Sequence, residues 1–366
     1  MNRRIAFAAA ALLAASPALA ACGSSSPSAA VSSALGTNSA SSGAYVQPAN
    51  PNNLPTVTLM VGGWDKQIYL PYVLAQQLGY FQKYGVNVVL STEQNGGVGA
   101  ETAMSSGQVD MAGAWYEHAI EFQDQHVAVE GLIQLALAPG ERIMCSPKSG
   151  VKSGADIKGK KMGVTDLGSG TDVLTQFIAA KNGVPHNAYT TVAAGAGAQA
   201  IAAVQHGQVD CVMTTQPTVQ AMESQGIATS AINLATAQGA QQAIGATWPA
   251  ASVLAKTSWV NSHKTEAQAV VNALVATLKW MQKNGAQGVA DELPQSFVSN
   301  ALASKADYVK ALNEDFGQFS ATGLMPASGP ASVLASLVMT KNAKGGEDLS
   351  ATYTNSFVNS ALQTVK

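Results

Sequence analysis

The tetrapeptide Gly-Gln-Val-Asp occurs twice in this chain, within SSGQVDMAGAW (Ser105–Trp115) and within QHGQVDCVMTT (Gln205–Thr215). In both stretches a helical pattern ends at the glycine, and an apolar run typical of a buried strand follows the aspartate. Glycine suits the position after a helix because it adopts positive φ at little cost. Aspartate can hydrogen-bond the backbone of a turn. The repeat therefore predicts the same corner in two similar lobes, and it gives neither Asp110 nor Asp210 a ligand role.

The sequence around each copy predicts alternating strands and helices. In the first copy the strand-like segments are TVTLMVGG (56–63), VNVVL (86–90) and VDMAGAW (109–115). In the second copy they are KMGVT (161–165), TTVAAG (190–195) and VDCVMTT (209–215). Helical segments separate them, and a β-α-β-α-β order is typical of a parallel sheet with helices on both faces. The pattern predicts an α/β fold.

Length and composition limit the classes of protein to consider. The chain has 366 residues, enough for two domains of ordinary size. Hydrophobic residues make up 47% and charged residues 11%, so large cores can be buried but surface charges are few. The formal net charge is −2, and beyond Arg4 no group of Lys and Arg is larger than the three lysines of KGKK (158–161). This composition argues against nucleic acid as a partner.

The first 55 residues read as a targeting segment followed by a tether. Arg3 and Arg4 precede an apolar run, Ile5–Ala15, which is too short to span a bilayer. The sequence LAAC then resembles the lipobox of bacterial lipoproteins, which predicts a signal peptide at 1–21 and lipidation of Cys22. The alternative is ordinary cleavage after ALA, which leaves Cys22 unmodified. Residues 22–55, rich in Gly, Ser, Ala and Pro, are predicted to form a disordered tether. We therefore expect an exported protein, lipid-anchored in the periplasm or on the outer cell surface.

Four loops follow predicted strands, and in open α/β sheets ligands bind beyond the carboxyl ends of strands. These loops are GGWDKQ (62–67), AWYEHA (114–119), DLGSGTD (166–172) and TTQPT (214–218). If the lobes face each other, all four line one cleft.

Polar groups at a helix start are the first candidates for ligand contact. Gly168, Ser169, Gly170 and Thr171 precede a helix, where free N–H groups, hydroxyls and the helix dipole suit an anion or a strong acceptor. Alternatively, Ser169 or Thr171 simply caps the helix. Asp172 also stands at this helix start, where its charge would repel an anion.

Aromatic and ionisable side chains in the two lobe 1 loops are further candidates. Trp64 and Trp115 end strands, where an indole can stack on a ligand, and Asp65 follows Trp64. Tyr116 and His118 follow Trp115. The alternative for each aromatic residue is packing under its loop. His118 could donate to a ligand oxyanion, and the alternative is a surface or capping residue.

The sequences LGYFQKYGVNVVL, SSGQVDMAG, GADIKGKKMGVT, GSGTD and AAVQHGQVDCVMTTQPTVQAM carry a family resemblance. From Thr56 to Glu223 the chain resembles the nitrate/sulfonate/taurine branch of bacterial ABC-transporter substrate-binding proteins. The resemblance implies a type II periplasmic binding protein fold. Such a fold has two similar lobes, each with a central, mostly parallel sheet flanked by helices, joined by a two-strand hinge. The implied segments are 56–140 for the first part of lobe 1, 141–246 for lobe 2, and 247–366 for the return to lobe 1 and its C-terminal helices.

The resemblance also concerns four residues outside the first set of candidates. Gln216 resembles the lobe 2 rim of the family and is a candidate ligand contact. Cys145 and Cys211 would lie on adjacent antiparallel strands, where a disulfide is possible. The alternatives are two free buried thiols or an offset in register. Arg142, near the crossover, either counters a ligand carboxylate or sulfonate or forms a salt bridge at the hinge.

The implied function is capture of a small organic solute by hinge closure and its delivery to an ABC permease. We expect an anionic solute of the sulfonate or carboxylate type, a monomeric protein, and no cofactor, metal or enzymatic activity. The alternatives are a neutral thiamine-pyrimidine precursor or related heterocycle as the solute, and a surface receptor without a transport role. A thiamine-pyrimidine synthase-like enzyme is less favoured, because its Cys-rich iron-binding motif has no counterpart here, and no catalytic motif or metal-spaced histidine cluster occurs.

Overall fold

Two five-stranded sheets organise the structure, a computed structural model in which residues 47–93 and 96–366 are described. The predicted signal peptide, Cys22 and the predicted tether up to residue 46 lie outside the described residues. The strands are β1 Thr56–Val61, β2 Asn87–Thr92, β3 Met111–Trp115, β4 Val129–Gln134, β5 Glu141–Cys145, β6 Lys161–Val164, β7 Thr190–Ala193, β8 Cys211–Thr215, β9 Thr229–Asn233 and β10 Ala251–Lys256.

The two sheets have the same topology. The first has the order β2-β1-β3-β10-β4 and the second has the order β7-β6-β8-β5-β9. In each sheet only the fourth strand, β10 or β5, runs antiparallel to both of its neighbours. That strand arrives from the other sheet, so the chain crosses once through residues 135–140 and returns through residues 234–250. The predicted fold class, with two similar lobes and a two-strand hinge, is confirmed. Below, lobe 1 is the first sheet with its helices, and lobe 2 is the second.

Helices cover both faces of the sheets. In lobe 1 before the crossing they are α1 Leu70–Gln77, α2 Tyr80–Lys83, α3 Val98–Ser106 and α4 Glu117–Asp124. In lobe 2 they are α5 Gly170–Lys181, α6 Ala198–Gln205, α7 Thr218–Ser224 and α8 Ala237–Ile244. After the return they are α9 Thr257–Ser262, α10 Lys264–Glu292, α11 Gln295–Val298, α12 Lys305–Asp315, α13 Gly329–Thr340 and α14 Ser356–Thr364. Short 3-10 helices lie at Gln67–Tyr69, Gly154–Ile157, His186–Ala188, Phe316–Gln318 and Leu349–Ala351.

The two Gly-Gln-Val-Asp copies form the predicted corner. Gly107 and Gly207 both adopt positive φ, 82° and 69°, just after α3 and α6. The aspartates, however, bind the neighbouring strand rather than the turn. A carboxylate oxygen of Asp110 accepts from the Thr58 amide at 2.8 Å, and one of Asp210 accepts from the Lys161 amide at 2.8 Å. Each aspartate therefore joins the start of the third strand to the first strand of its sheet.

The helices after the return contact both lobes. The long helix α10 buries its apolar face against α1, α12 and α14 in lobe 1. In contrast, α12 also packs against α7, and α13 packs against both α4 and α5. The C-terminal helices thus complete lobe 1 and touch lobe 2 as well. Within the described part of the chain, no helix has the length and apolar character needed to cross a membrane.

Cys145 and Cys211 face each other directly across β5 and β8. Their Cα atoms are 4.0 Å apart, and a disulfide with an S–S distance of 2.07 Å joins them. The structure therefore shows the disulfide, and not the two alternatives of free buried thiols or an offset in register.

Candidate functional site

A small cavity lies where the carboxyl ends of the parallel strands of both lobes meet. Its volume is about 20 Å³, which is room for about one water molecule. Lobe 1 contributes Lys66, Tyr69, Gly96, Gly97, Trp115 and His118 to the wall. Lobe 2 contributes Glu141, Thr165, Ser169, Gly170 and Thr171. The lobes are therefore closed on each other in this structure.

Trp115 and Gly170 form the tightest contact between the lobes. Trp115 ends β3, is only 5% exposed, and packs edge-on against Trp248 with ring centroids 5.4 Å apart. Gly170 begins α5, and a Cβ atom added there would collide with the Trp115 ring and with a Glu117 carboxylate oxygen. The closed arrangement consequently requires the absence of a side chain at position 170.

His118 is buried among three carboxylates of lobe 1. Its Nε2 lies 2.9 Å from Glu101 and 3.3 Å from Glu117, and its Nδ1 lies 2.8 Å from Glu121. Burial opposes the charged imidazolium, but Glu101 and Glu117 outweigh burial and raise the pKa of His118 well above its usual value. Since carboxylates occupy both nitrogens, the sequence-based role of His118 as a donor to a ligand oxyanion lacks a free N–H group.

The carboxyl groups of Glu117 and Glu141, beside the cavity, are buried with oxygens that accept no hydrogen bond from the described part of the chain. Neither oxygen of Glu117 accepts a hydrogen bond among the described residues, and the same holds for Oε2 of Glu141. Burial raises the pKa of Glu117 to about 8, with His118 opposing the shift. Burial also raises the pKa of Glu141, opposed by the charge of Lys66. These carboxyl groups hold protons far more tightly than exposed ones do.

Lys66 in lobe 1 and Glu141 in lobe 2 both line the cavity, and the charge of each acts on the pKa of the other. The Lys66 ammonium donates to the Gly62 carbonyl at 2.8 Å. Burial lowers the pKa of Lys66, while Glu141, Asp65 and Glu93 act in the opposite direction.

The polar groups of the glycine-rich loop of lobe 2 form hydrogen bonds with each other. The Ser169 hydroxyl donates to the Asp166 carbonyl at 2.7 Å and lies 2.8 Å from the Thr171 hydroxyl. The Thr165 amide donates to that Thr171 hydroxyl at 2.9 Å, and the Gly168 amide donates to Asp172 at 2.9 Å. Ser169 is the N-cap residue of α5, but no side chain makes a capping hydrogen bond there. Ser169 and Thr171 line the cavity, and their hydroxyls bond within the loop, so contact with a ligand stays a prediction.

Five sequence-predicted residues line the cavity and five do not. Trp115, His118, Ser169, Gly170 and Thr171 are in the wall. Trp64, Asp65, Tyr116, Gly168 and Gln216 are outside it.

Trp64 and Tyr116 pack within the protein instead of facing the cavity. The Trp64 ring lies 6.2 Å from that of Phe297. Tyr116 is fully buried, and its hydroxyl lies 2.5 Å from that of Thr352. Because residues alternate in direction at a strand end, Trp115 faces the cleft while Tyr116 faces the interior of lobe 1.

Gln216 and Asp65 contribute to the surroundings of the cavity. The Gln216 carbonyl accepts from the Gln67 amide at 3.0 Å, which joins the lobes through the backbone. Its side-chain oxygen accepts from the Gln220 amide at 3.0 Å, at the start of α7. Asp65 acts on Lys66 electrostatically.

Arg142 forms a salt bridge at the hinge, which was the second of its two sequence-based interpretations. One guanidinium nitrogen lies 2.5 Å from Asp315 and 3.7 Å from Glu314, and another lies 4.0 Å from Glu223. Strand β5 is thereby fastened to the end of α12.

The sequence reasoning missed several members of the wall. Gly96 and Gly97 follow β2, so their loop lies at the same sheet edge as the others and could have been included on that ground. Glu141 begins the antiparallel strand, and its position at the cleft depends on strand direction, which the residues alone did not establish. Among residues 47–93 and 96–366, no group of three or more His, Cys, Asp or Glu side chains is arranged to hold a metal ion.

A sequence model of the family described as "NMT1/THI5 like" matches residues 67–287, more than half of the chain. The chain belongs to the NMT1/THI5-like family. Comparison with curated proteins gave no match.

Several solved structures share the fold over most of the length of this chain. A protein from Bordetella bronchiseptica RB50 is 29% identical with a TM-score of 0.78, covering 84% of this chain and 97% of that one. The alkanesulfonate-binding protein SsuA from Xanthomonas axonopodis pv. citri, bound to MOPS, is 17% identical with a TM-score of 0.65, covering 85% and 99%. The periplasmic nitrate-binding protein NrtA from Synechocystis PCC 6803 is 14% identical with a TM-score of 0.67, covering 86% and 90%. The predicted resemblance to such binding proteins is confirmed at the level of the fold.

Proposed function

We propose that this protein is the extracytoplasmic solute-binding component of an ABC importer. The observation that carries the proposal is the cavity walled by residues of both lobes, at the sheet edge where open α/β proteins bind ligands. Neighbours with the same fold include proteins that bind alkanesulfonates and nitrate. The fold alone does not decide between binding and catalysis, but the absence of a catalytic motif in the sequence favours binding.

Capture follows from closure of the hinge. Opening would separate Trp115 from Gly170, Lys66 from Glu141, and the Gln67 amide from the Gln216 carbonyl. A solute that contacts both lobes shifts the equilibrium toward the closed form by its differential affinity. Because the closed cavity is only about 20 Å³, an organic solute needs the lobes further apart than they are here.

The wider setting is part of the same proposal. The signal peptide at 1–21 would export the chain, and Cys22 would carry the lipid anchor. The segment 22–55 would hold the monomeric body beside its permease. The proposed segments are 56–140 and 247–366 for lobe 1 and 141–246 for lobe 2. Residues 56–134 and 251–256 supply the first sheet and residues 141–233 the second, which supports these boundaries.

Two alternatives concern the solute and the role of capture. A neutral thiamine-pyrimidine precursor or related heterocycle would find flat partners in Trp115 and Tyr69, which line the cavity. A surface receptor without a transport role would use the same cleft. Uptake of the bound solute in cells with and without this protein separates transport from simple reception.

Gly170→Val tests solute capture by closure. The added side chain would meet Trp115 and Glu117, so the variant should fold but fail to close. In a thermal-shift screen of small metabolites, a hit at 100 times its Kd should stabilise the parent protein by about 2.7 kcal/mol. The same hit should stabilise the variant far less.

The control for this experiment is Ala202→Val, on α6 and outside the cavity wall. A glycine such as Gly183 is unsuitable, because its positive φ would strain any added side chain. Equal binding by parent, control and Gly170→Val would refute capture between the lobes.

A further inference from the structure

We propose that the captured solute carries a positively charged nitrogen with at least two N–H donors, such as a primary ammonium, amidinium or guanidinium group, bound between Glu117 and Glu141. This inference rests on the proposed function and specifies the charge of its solute. It replaces the sulfonate- or carboxylate-type solute that the sequence led us to expect.

Unpaired acceptors at the cavity are the first argument. Glu141 lines the cavity, is 4% exposed, and has no hydrogen bond to its Oε2 among the described residues. Glu117 is 0% exposed, and one of its oxygens lies next to Gly170, itself a wall residue. One Glu117 oxygen lies 3.3 Å from His118 Nε2, a nitrogen that Glu101 approaches more closely, at 2.9 Å. Buried acceptors without donors are costly, and a ligand with N–H groups would remove that cost.

Convergence of the carboxyl groups from both lobes is the second argument. Tyr69 lines the cavity, and its pKa is raised well above the usual value. The largest causes are burial and the neighbouring Tyr72. The charges of three carboxyl groups, Glu117, Glu101 and Glu141, add to the shift. The charges of Glu117 and Glu101 in lobe 1 and of Glu141 in lobe 2 therefore act on the same wall residue. Tyr69 and Trp115 also line the cavity with aromatic rings, a residue type that attracts cations.

The local charge balance is the third argument. The acidic groups that act on the cavity residues are Asp65, Glu93, Glu101, Glu117, Glu121, Glu141 and Asp315, and the basic groups are Lys66 and His118. Asp315 is itself paired with Arg142. The nitrogens of His118 are taken by Glu101 and Glu121, and Lys66 faces Glu141. Burial raises the pKa values of Glu117 and Glu141 to about 8, so these two are largely neutral at pH 7, but the remaining acidic groups still outnumber Lys66 and His118. A cation entering the site would therefore be attracted and an anion repelled.

The helix start that suggested an anion site carries its own carboxylate. Asp172 lies in the first turn of α5 and already accepts from the Gly168 amide at 2.9 Å. The hydroxyls of Ser169 and Thr171 are committed to the loop. The features that would hold an anion are thus used within the protein.

Proton release on binding distinguishes a cationic solute from an anionic one. Without a ligand, burial raises the pKa of Glu117 to about 8, so most of it is protonated at pH 7. A bound cation favours the ionised carboxylate and lowers this pKa. Cation binding at pH 7 should therefore release a proton, whereas anion binding should release none.

The test uses matched probes of opposite charge on the mature protein. Guanidinium, propylammonium and benzamidinium are compared with nitrate, propanesulfonate and benzoate at constant ionic strength, by thermal shift and then by calorimetry in two buffers of different ionisation enthalpy. We expect cations to bind with proton release. Glu117→Gln should reduce that release to the part that comes from Glu141 and weaken binding about tenfold or more, since one unit of pKa corresponds to a factor of ten.

Glu141→Gln provides a second variant in case Glu117→Gln does not fold, and Glu130→Gln, on β4 away from the cavity, is the matched control that should bind normally. Binding of the anions with no binding of the cations overturns this inference and leaves the proposed function intact. Cation binding without proton release in the parent also overturns it. Failure of both charge classes and of neutral metabolites to bind counts against the proposed function itself.

Discussion

At the scale of single residues, Arg142 shows how the hinge is held. Arg142 is 7% exposed and Asp315 is 1% exposed, so the charges that meet at 2.5 Å are both removed from water. Burial raises the pKa of Asp315, and Arg142 opposes that shift. Breaking a buried pair by removing one partner leaves the other charge uncompensated, which is far more costly than losing an exposed pair.

Arg142→Met should lower the free energy of unfolding by about 3–5 kcal/mol at pH 7. Without the guanidinium, folded Asp315 would bind a proton more tightly still than the unfolded chain does. The variant therefore loses stability as pH rises above the unfolded pKa of about 3.9. Urea unfolding should show a larger deficit at pH 7 than at pH 5.

Two comparisons sharpen this prediction. Asp315→Asn in the Arg142→Met background should recover part of the loss, because it removes the buried charge. Lys310→Met, which breaks an exposed contact of 4.0 Å with Glu314, should change stability by about 0.5 kcal/mol or less. A deficit independent of pH, or one matched by Lys310→Met, would mean that the pair does not act as described.

At the scale of elements, the pairing of β5 with β8 joins the incoming strand to the third strand of lobe 2. Five residue pairs align along this ladder, from Glu141 opposite Thr215 to Cys145 opposite Cys211. The disulfide fixes the far end of the ladder, while Glu141 at the near end is carried to the cavity. The same strand thus holds a structural bond and a site residue at its two ends.

Reduction or replacement of this disulfide should destabilise lobe 2. Cys145→Ser with Cys211→Ser should lower the free energy of unfolding by about 2–4 kcal/mol, because the bond closes a loop between residues 66 apart. Mass spectrometry of the alkylated, non-reduced mature body should find neither cysteine modified. Two alkylated cysteines in protein isolated without reductant would contradict the bond.

The repeated tetrapeptide shows why the elements were predictable. The position of Gly107 and Gly207 after a helix depends on local conformation, which a few adjacent residues determine. Strand β10 was harder, because its pairing between β3 and β4 joins segments more than 100 residues apart. Only the return of the chain to lobe 1 from residue 247 was expected, on the family resemblance, and the pairing of this strand was not predicted.

The site was less predictable than the fold. Sequence spacing placed Trp115 and Gly170 at strand and helix ends, and both line the cavity. It could not show that Glu117 and Glu141 would be buried with unpaired oxygens, because that depends on how the two lobes close. The expectation of an anionic solute rested on the family resemblance and on the α5 start, without the buried carboxyl groups beside the cavity.

At the scale of the whole molecule, the proposed anchor and the lobes divide the work between attachment and capture. Cys22→Ala should move the protein from the membrane fraction to the soluble fraction and abolish acylation, while solute binding by the body is unchanged. Fractionation with immunodetection and mass spectrometry of the N-terminal peptide check this. A Cys22→Ala protein that stays with membranes like the parent would contradict lipid anchoring.

The two crossings of the hinge run side by side. The Ala250 amide donates to the Ala136 carbonyl at 3.0 Å, and the Leu135 amide donates to the Ala251 carbonyl at 2.8 Å. The chain therefore leaves lobe 1 and re-enters it at the same place, with all of the second sheet between. In this sense lobe 2 is an insertion into a single-lobe protein. A short turn from Ala136 to Ala250 would close lobe 1 without changing the order or direction of any strand in its sheet.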